Sequence, residues 1–185
     1  NTQIKMEEGN SQEKEIRAKL NDLLKEYYKI KESEVKFIPG KTRVQYSGPI
    51  FNEEEVGNVL SSLLDGWLAP GNHTRKFESL FADFLGVKYC DTVDSGTGGL
   101  LISWLALKNK GLKNPLKDGD EVITSAMNHP STINCLLHNN LKPVLVDIDM
   151  KNYNFDPKLV ENAITEKTKG ILPMHFLGNP CEMDH

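Results

Sequence analysis

Residues 121–147 read EVITSAMNHPSTINCLLHNNLKPVLVD. The stretch opens on a short apolar run, Glu121–Ser125, and closes on another, Pro143–Asp147. Between them lies a segment expected to be helical over 130–140. Both runs have strand length, and a strand–helix–strand order is the mark of a parallel pair. The pattern repeats outward. Upstream, Tyr89–Val93 is expected as a strand followed by a helix over 97–109. Downstream, a helix over 157–166 precedes a strand over Gly170–Met174. Short apolar strands alternating with helices predict an α/β fold: a three-layer α/β/α arrangement around an open, mostly parallel sheet buried on both faces. Ligands of such sheets sit at the carboxyl ends of the strands.

The front of the chain is organised differently. Ile16, Leu20, Leu23, Leu24 and Tyr27 recur at helical spacing and predict a helix over 12–31. Residues 1–12 read as a disordered lead, and KESEV (31–35) as a charged linker. FIPGKTRVQYSGPIF (37–51) reads as an extended arm with turns at Pro39-Gly40 and Ser47-Gly48-Pro49. Asn52 before three glutamates is a helix start with a cap and an acidic first turn. APGN (69–72) breaks the chain. Phe77, Leu80, Phe81, Phe84 and Leu85 then mark a helix that Gly86 closes.

Composition narrows the function. The 185 residues are 38% apolar and 26% charged, ordinary for a soluble globular chain. A net charge of −4 and a pI near 5.8 argue against a general nucleic-acid binder, which needs a basic face. No run approaches the ~20 apolar residues of a membrane span, and no secretory signal is visible. Three widely spaced cysteines, Cys90, Cys135 and Cys181, do not form a disulfide framework and suit a reducing cytoplasm. The start on Asn1 and the stop on NPCEMDH suggest a fragment.

Four stretches carry chemistry. DSGTGG (94–99) lies between an expected strand end and a helix start, where orphan N–H groups and a partial positive charge favour an anion. Ser95 and Thr97 add hydroxyls. The loop is either a phosphate cradle or a tight turn in which helix and strand pack closely. It is neither a Walker loop nor GxGxxG, and no acidic residue ends a strand ~20 residues on, which counts against a nicotinamide-binding sheet. His129, just beyond the next strand, can stack on a planar ligand, donate a hydrogen bond, titrate, or stand in a plain exposed loop. Asp147 and Asp149 can hold a metal or a ribose hydroxyl, or cap a chain reversal. His175 faces either the rim or the core. Cys135-x2-His138 and His175-x5-Cys181 form no recognised paired pattern, so no metal site is expected.

Taken in order, GWLAPG (66–71), FESLFADFLGVKYC (77–90), SGTGGL (95–100), GDEVITSA (119–126), PVLVDIDMKNYNFD (143–156) and GILPMHFLGNPCEMD (170–184) resemble the DegT/DnrJ/EryC1/StrS sugar aminotransferases. These are fold-type I enzymes that use pyridoxal or pyridoxamine 5′-phosphate. FIPGKTRVQYSGPIFNEEEV (37–56), SLLDGWLAPG (62–71) and the long KNKGLKNPLKDGDEVIT (108–124) resemble the RfbH-type CDP-4-dehydro-6-deoxyglucose 3-dehydratases within that family. The resemblance implies that residues 37–185 are the first part of the cofactor-binding large domain, behind a lead and helix over 1–36. By position, Ser95, Gly96 and Thr97 match the loop that holds the cofactor phosphate. His129 falls where an aromatic residue stacks on the pyridine ring.

The implied reaction removes the C3 hydroxyl of a nucleotide-linked 4-keto-6-deoxy sugar in deoxysugar and lipopolysaccharide biosynthesis. The sister reaction is sugar transamination. Dehydratases of the branch tend to read NSGSSANL where this chain has Asp94–Leu101, and Phe where it has His129. The loop is nearer the aminotransferase form SGTxAL, so the resemblance carries both reactions. A third alternative is a catalytically incomplete remnant or assembly partner. No catalytic residue is assigned within the chain: the lysine or histidine the family implies falls beyond His185, as do the cysteines of an iron–sulfur cluster. The 185 residues alone are therefore expected to be inactive. A homodimer is implied, and a reductase partner for the dehydratase version.

Overall fold

Residues 11–34, 37–45, 47–66 and 69–184 are described by the computed structural model. The chain divides into two units, Asn1–Cys90 and Asp91–His185.

Among its described residues the first unit holds three helices. α1 spans Ser11–Glu34, so the helix continues through most of KESEV, where a linker was expected. The expected disordered lead lies, up to residue 10, outside the described residues. α2, Glu53–Leu64, begins as its sequence predicts. Asn52 accepts from Glu54 N, and the Glu55 carboxylate takes Asn52 N at 2.7 Å. Arg17 on α1 pairs with Glu13 one turn back and with Asp65 at the end of α2. The arm turns at Pro39-Gly40, where Gly40 takes a φ of 75°. α3, Asn72–Leu85, ends on Gly86 at φ 68°, the left-handed cap expected of it.

The second unit is the α/β part. Three parallel strands lie in the order β2-β1-β3, with β1 Glu121–Ser125, β2 Lys142–Val146 and β3 Thr168–Leu172. Every residue of β1 is buried, as befits a central strand covered on both faces. Successive side chains of a strand point to opposite faces. Val122 packs with Trp104, Cys135, Leu136 and Leu141. Ile123 packs with Val146, Phe155, Val160 and Cys181. α4 (Gly96–Leu107) and α5 (Pro130–His138) thus cover one face. α6 (Pro157–Asn162) and the segment after β3 cover the other.

Some boundaries differ from expectation. Tyr89–Val93 forms no strand, because it pairs with none of β1, β2 and β3. Helix α5 stops at His138 because Asn139 caps it and Asn140 turns to φ 55°. Helix α6 ends at Asn162 rather than 166, and β3 begins two residues before Gly170. These shifts leave the rim of the sheet where the pattern put it.

Candidate functional site

The rim at the carboxyl end of β1 is built by the starts of α4 and α5. Ser95 has extended backbone (φ −161°, ψ 160°) and caps α4. Its Oγ accepts from Gly98 N at 3.1 Å, and its carbonyl accepts from Gly99 N at 3.0 Å. The Ser95 hydroxyl hydrogen goes to Asp94 Oδ1 at 3.2 Å. Gly96 N–H and Thr97 N–H, the first two donors of the helix, have no hydrogen-bond partner among the described residues. A Cβ on Gly96 would meet nothing within 4 Å. Ser95, Gly96 and Thr97 therefore frame an open corner with two unused donors at the positive end of a 12-residue helix.

Of the two adjacent glycines, Gly98 and Gly99, packing calls for only the first. A Cβ on Gly98 would lie 2.6 Å from Asp94 Oδ1, so Gly98 makes room for the chain's own carboxylate. A Cβ on Gly99 would meet Val93 Cγ2 at 3.5 Å, an ordinary contact that demands no glycine.

α5 lies beside α4 and runs the same way. Cys135 Sγ donates to Thr97 O at 3.4 Å, and one turn on Asn139 Nδ2 donates to Leu101 O at 3.2 Å. Thr97 is in the first turn of α4, whereas Cys135 is in the second turn of α5. The start of α5 thus overhangs that of α4 by about one turn, ~6 Å. His129 caps this overhanging end. Its Nδ1 accepts from Ser131 N at 3.2 Å and meets Ser131 Oγ at 2.7 Å. With Nδ1 accepting a backbone N–H, the neutral ring carries its proton on Nε2 and offers a donor outward.

Behind His129 is a polar chain that sequence reasoning missed. Asn128 Oδ1 accepts from His129 N at 2.8 Å and from Thr132 Oγ1 at 2.9 Å. Asn128 Nδ2 donates to Thr124 Oγ1 at 3.2 Å, and Thr124 Oγ1 donates to Leu172 O at 2.9 Å. The loop bearing His129 is therefore tied to the central strand and, through it, to β3. The signal was present in NHPST, where polar side chains flank a proline that starts a helix.

The other candidates resolve toward structure. Asp147 Oδ1 accepts from Ile148 N, and Asp149 Oδ1 accepts from Lys151 N at 2.9 Å, which are turn contacts. His175 Nδ1 accepts from Cys181 N at 3.0 Å. Burial pushes the Cys181 thiol up, and Cys181 Sγ donates to Met174 O. Buried Asn154 ties this loop down: its Nδ2 donates to Asn179 O and Pro180 O, and its Oδ1 accepts from Phe176 N. Among the described residues no group of three His, Cys, Asp or Glu side chains is placed to hold a metal, and no helix is long and apolar enough to cross a membrane.

Two paired carboxylates lie at the opposite end of the sheet. Buried Glu121 accepts from Thr165 Oγ1 at 2.7 Å and pairs with Lys142 at 2.9 Å. The Thr165 hydroxyl first, and Lys142 second, hold its carboxyl below the usual range. Lys108, at the end of α4, donates to Asn139 O at 2.7 Å and pairs with Asp118, whose carboxyl it lowers.

A family model of the DegT/DnrJ/EryC1/StrS aminotransferases matches residues 49–185. The lipopolysaccharide biosynthesis protein RfbH of Salmonella typhimurium is 38% identical over 89% of this chain and 38% of its own length. The GDP-4-keto-6-deoxy-D-mannose-3-dehydratase of E. coli, solved with bound hydrated PLP, superposes with a TM-score of 0.68 at 32% identity, over 75% of this chain and 36% of that one. Helicobacter pylori PseC, an aminotransferase involved in pseudoaminic acid biosynthesis, gives a TM-score of 0.64 at 30% identity, over 76% of this chain and 36% of that one. The chain spans about a third of the length of the curated relatives it matches.

Proposed function

From the membership of this chain in the DegT/DnrJ/EryC1/StrS aminotransferase family, we propose that the start of α4 seats the phosphate of pyridoxal or pyridoxamine 5′-phosphate. The observation that carries this is the pair of unused donors, Gly96 N–H and Thr97 N–H, at an open helix start. The donor set suits a phosphate: two backbone N–H groups, the Thr97 hydroxyl, and free space where the Gly96 side chain would be. Ser95 shapes the corner as the cap. His129, at the overhanging start of the neighbouring helix about one turn further on, is the residue this reading assigns to the planar ring of a molecule so anchored. There it presents an aromatic face and an Nε2–H donor.

The whole protein, on this reading, removes the C3 hydroxyl of a nucleotide-linked 4-keto-6-deoxy sugar. RfbH and the E. coli 3-dehydratase support that choice. When bound, the cofactor would supply an electron sink for breaking a C–H bond and for the departure of the C3 oxygen. The residues described here bind and orient; the proton-moving lysine or histidine lies beyond His185, so the 185 residues alone turn nothing over. Residues 37–185 form the first part of the cofactor-binding domain of a cytoplasmic homodimer. An iron–sulfur cluster and a reductase partner belong to the dehydratase version.

The second reading is transamination of the same substrate class. It is favoured by the SGTGGL form of the loop and by the similarity to PseC. One experiment separates the readings: the absorption spectrum of the full-length protein with pyridoxal phosphate, before and after borohydride. A cofactor that borohydride fixes covalently to the protein, so that its absorbance stays with the denatured chain, reports a bond to lysine and hence the aminotransferase. A bound, borohydride-resistant amine form supports the dehydratase. Failure of the full-length protein to bind either vitamer overturns both.

A further inference from the structure

The corner at the start of α4 already contains an anion. Asp94 Oδ1 takes the only hydrogen of the Ser95 hydroxyl, at 3.2 Å. The same oxygen stands 2.6 Å from the point a Gly98 Cβ would occupy, which puts it within about 5 Å of the Gly98 amide nitrogen. Among the described residues no lysine, arginine or histidine forms an ion pair with Asp94. A carboxylate so near a helix start favours the helix, because it lies in the field of the first-turn N–H groups. A phosphate seated on Gly96 and Thr97 uses that same field. It also gains from the Ser95 hydroxyl only if that hydrogen leaves Asp94.

Resting on the reading of this corner as a phosphate seat, we propose that Asp94 sets the seat's affinity, holding it below what Ser95, Gly96 and Thr97 alone provide. The carboxylate occupies the helix field and the Ser95 hydroxyl, and an incoming phosphate has to share both. Asp94 thus acts with opposite signs on two quantities. It supports the helix start, and it weakens the binding of anions there. A purely structural aspartate lacks this signature, since its removal weakens folding and leaves binding unchanged or poorer.

The test is a titration of the full-length protein with pyridoxal 5′-phosphate, and a competition with inorganic phosphate, for wild type, Asp94→Asn and Asp94→Ala. Melting temperatures are read alongside. Both variants are expected to bind pyridoxal phosphate about tenfold more tightly at low ionic strength, with melting temperatures equal to or below wild type. Inorganic phosphate should compete at correspondingly lower concentration. The gain should shrink in about 1 M salt, where charge interactions at an exposed corner are screened. Equal or weaker binding by both variants, with wild-type binding intact, overturns the role of Asp94 and leaves the cofactor reading standing. Absence of binding by wild type and variants alike overturns both.

Discussion

α4 and α5 lie side by side, point the same way and cover the same face of the sheet, yet they begin in opposite ways. The start of α5 is closed. Pro130 has no N–H, Ser131 N–H goes to His129 Nδ1, and Thr132 N–H goes to His129 O at 3.0 Å. The start of α4 is open, with Gly96 and Thr97 N–H unused. The two helices share their core and their rim, so topology does not impose the difference. It is written in four residues, His129-Pro-Ser-Thr against Ser95-Gly-Thr-Gly. α5 shows that this fold tolerates a fully satisfied helix start. The open start of α4 is therefore an option the sequence takes, and it suits a ligand supplied from outside.

The sharpest way to break the contrast is to give α4 the start of α5. In Gly96→Pro the missing N–H falls at the first helical position, where proline is well accommodated. Ser95 before it is already extended, as a residue preceding proline prefers, and nothing stands within 4 Å of the new Cβ. Stability should hold or rise by about 0.4–1 kcal/mol through the unfolded state. Affinity for pyridoxal phosphate should fall about tenfold to a hundredfold, the usual worth of a hydrogen bond to a charged group. Thermal melts and cofactor titrations of the full-length protein check both halves. Unchanged affinity would mean that the open donors serve no phosphate.

A second change keeps α5 closed but removes the ring at its start. Asparagine is among the best capping residues, so His129→Asn should preserve the helix start within a few tenths of a kcal/mol. It removes the aromatic face from the rim. The expected result is an unshifted melt with cofactor affinity lower by about threefold to tenfold, the scale of one ring contact. On α4, Ser95→Ala should lower both quantities, since the cap alone contributes about 1 kcal/mol.

Much of this contrast was legible in the sequence. The strand–helix–strand pattern placed β1, α5 and β2 within a residue or two, because each strand is a bounded apolar run. Ser95–Thr97 and His129 were placed at the starts of two helices on one rim, as found. Two features were hidden. Tyr89–Val93 has the composition of a strand, but a strand exists only beside a partner, and pairing is not a local property. DSGTGG left open whether Gly98 serves a ligand or close packing. Its neighbour turned out to be Asp94 of the same turn, which depends on a rotamer that no spacing encodes. The Thr124–Asn128–Thr132 chain was likewise invisible, because Ser, Thr and Asn side chains read alike whether they bond to water or to one another.

The opposite end of the sheet extends the comparison to charge. Glu121 and Asp118 both have folded carboxyl pKa values below their ordinary ones, with Thr165 and Lys108 as the leading causes. A lowered folded pKa means that their stabilisation is fully present above the unfolded carboxylate range, near pH 4. It is lost as pH falls through the folded values. Glu121→Gln should therefore flatten the loss of stability below about pH 4.5 while leaving the neutral-pH affinity for pyridoxal phosphate unchanged. Chemical denaturation at stepped pH reads the first, and a cofactor titration the second. A change in affinity would show that the two ends of the sheet are not independent.

The smallest effect separates the two adjacent glycines. Both sit inside the first turns of α4, where glycine costs about 0.5–1 kcal/mol relative to alanine. In Gly99→Ala the new methyl meets Val93 Cγ2 at an ordinary 3.5 Å, so most of that amount should be recovered as stability. In Gly98→Ala the methyl falls 2.6 Å from Asp94 Oδ1, and the carboxylate has to leave Ser95 to admit it. The gain in helix propensity is then offset by the lost contact, and the net change should be smaller than at 99. Adding Asp94→Ala removes the obstacle, so Gly98→Ala should stabilise more in that background than in wild type. A double-mutant cycle measured by denaturant melts gives the coupling directly. Zero coupling would show that the carboxylate moves aside freely and that neither glycine is required by the chain's own packing.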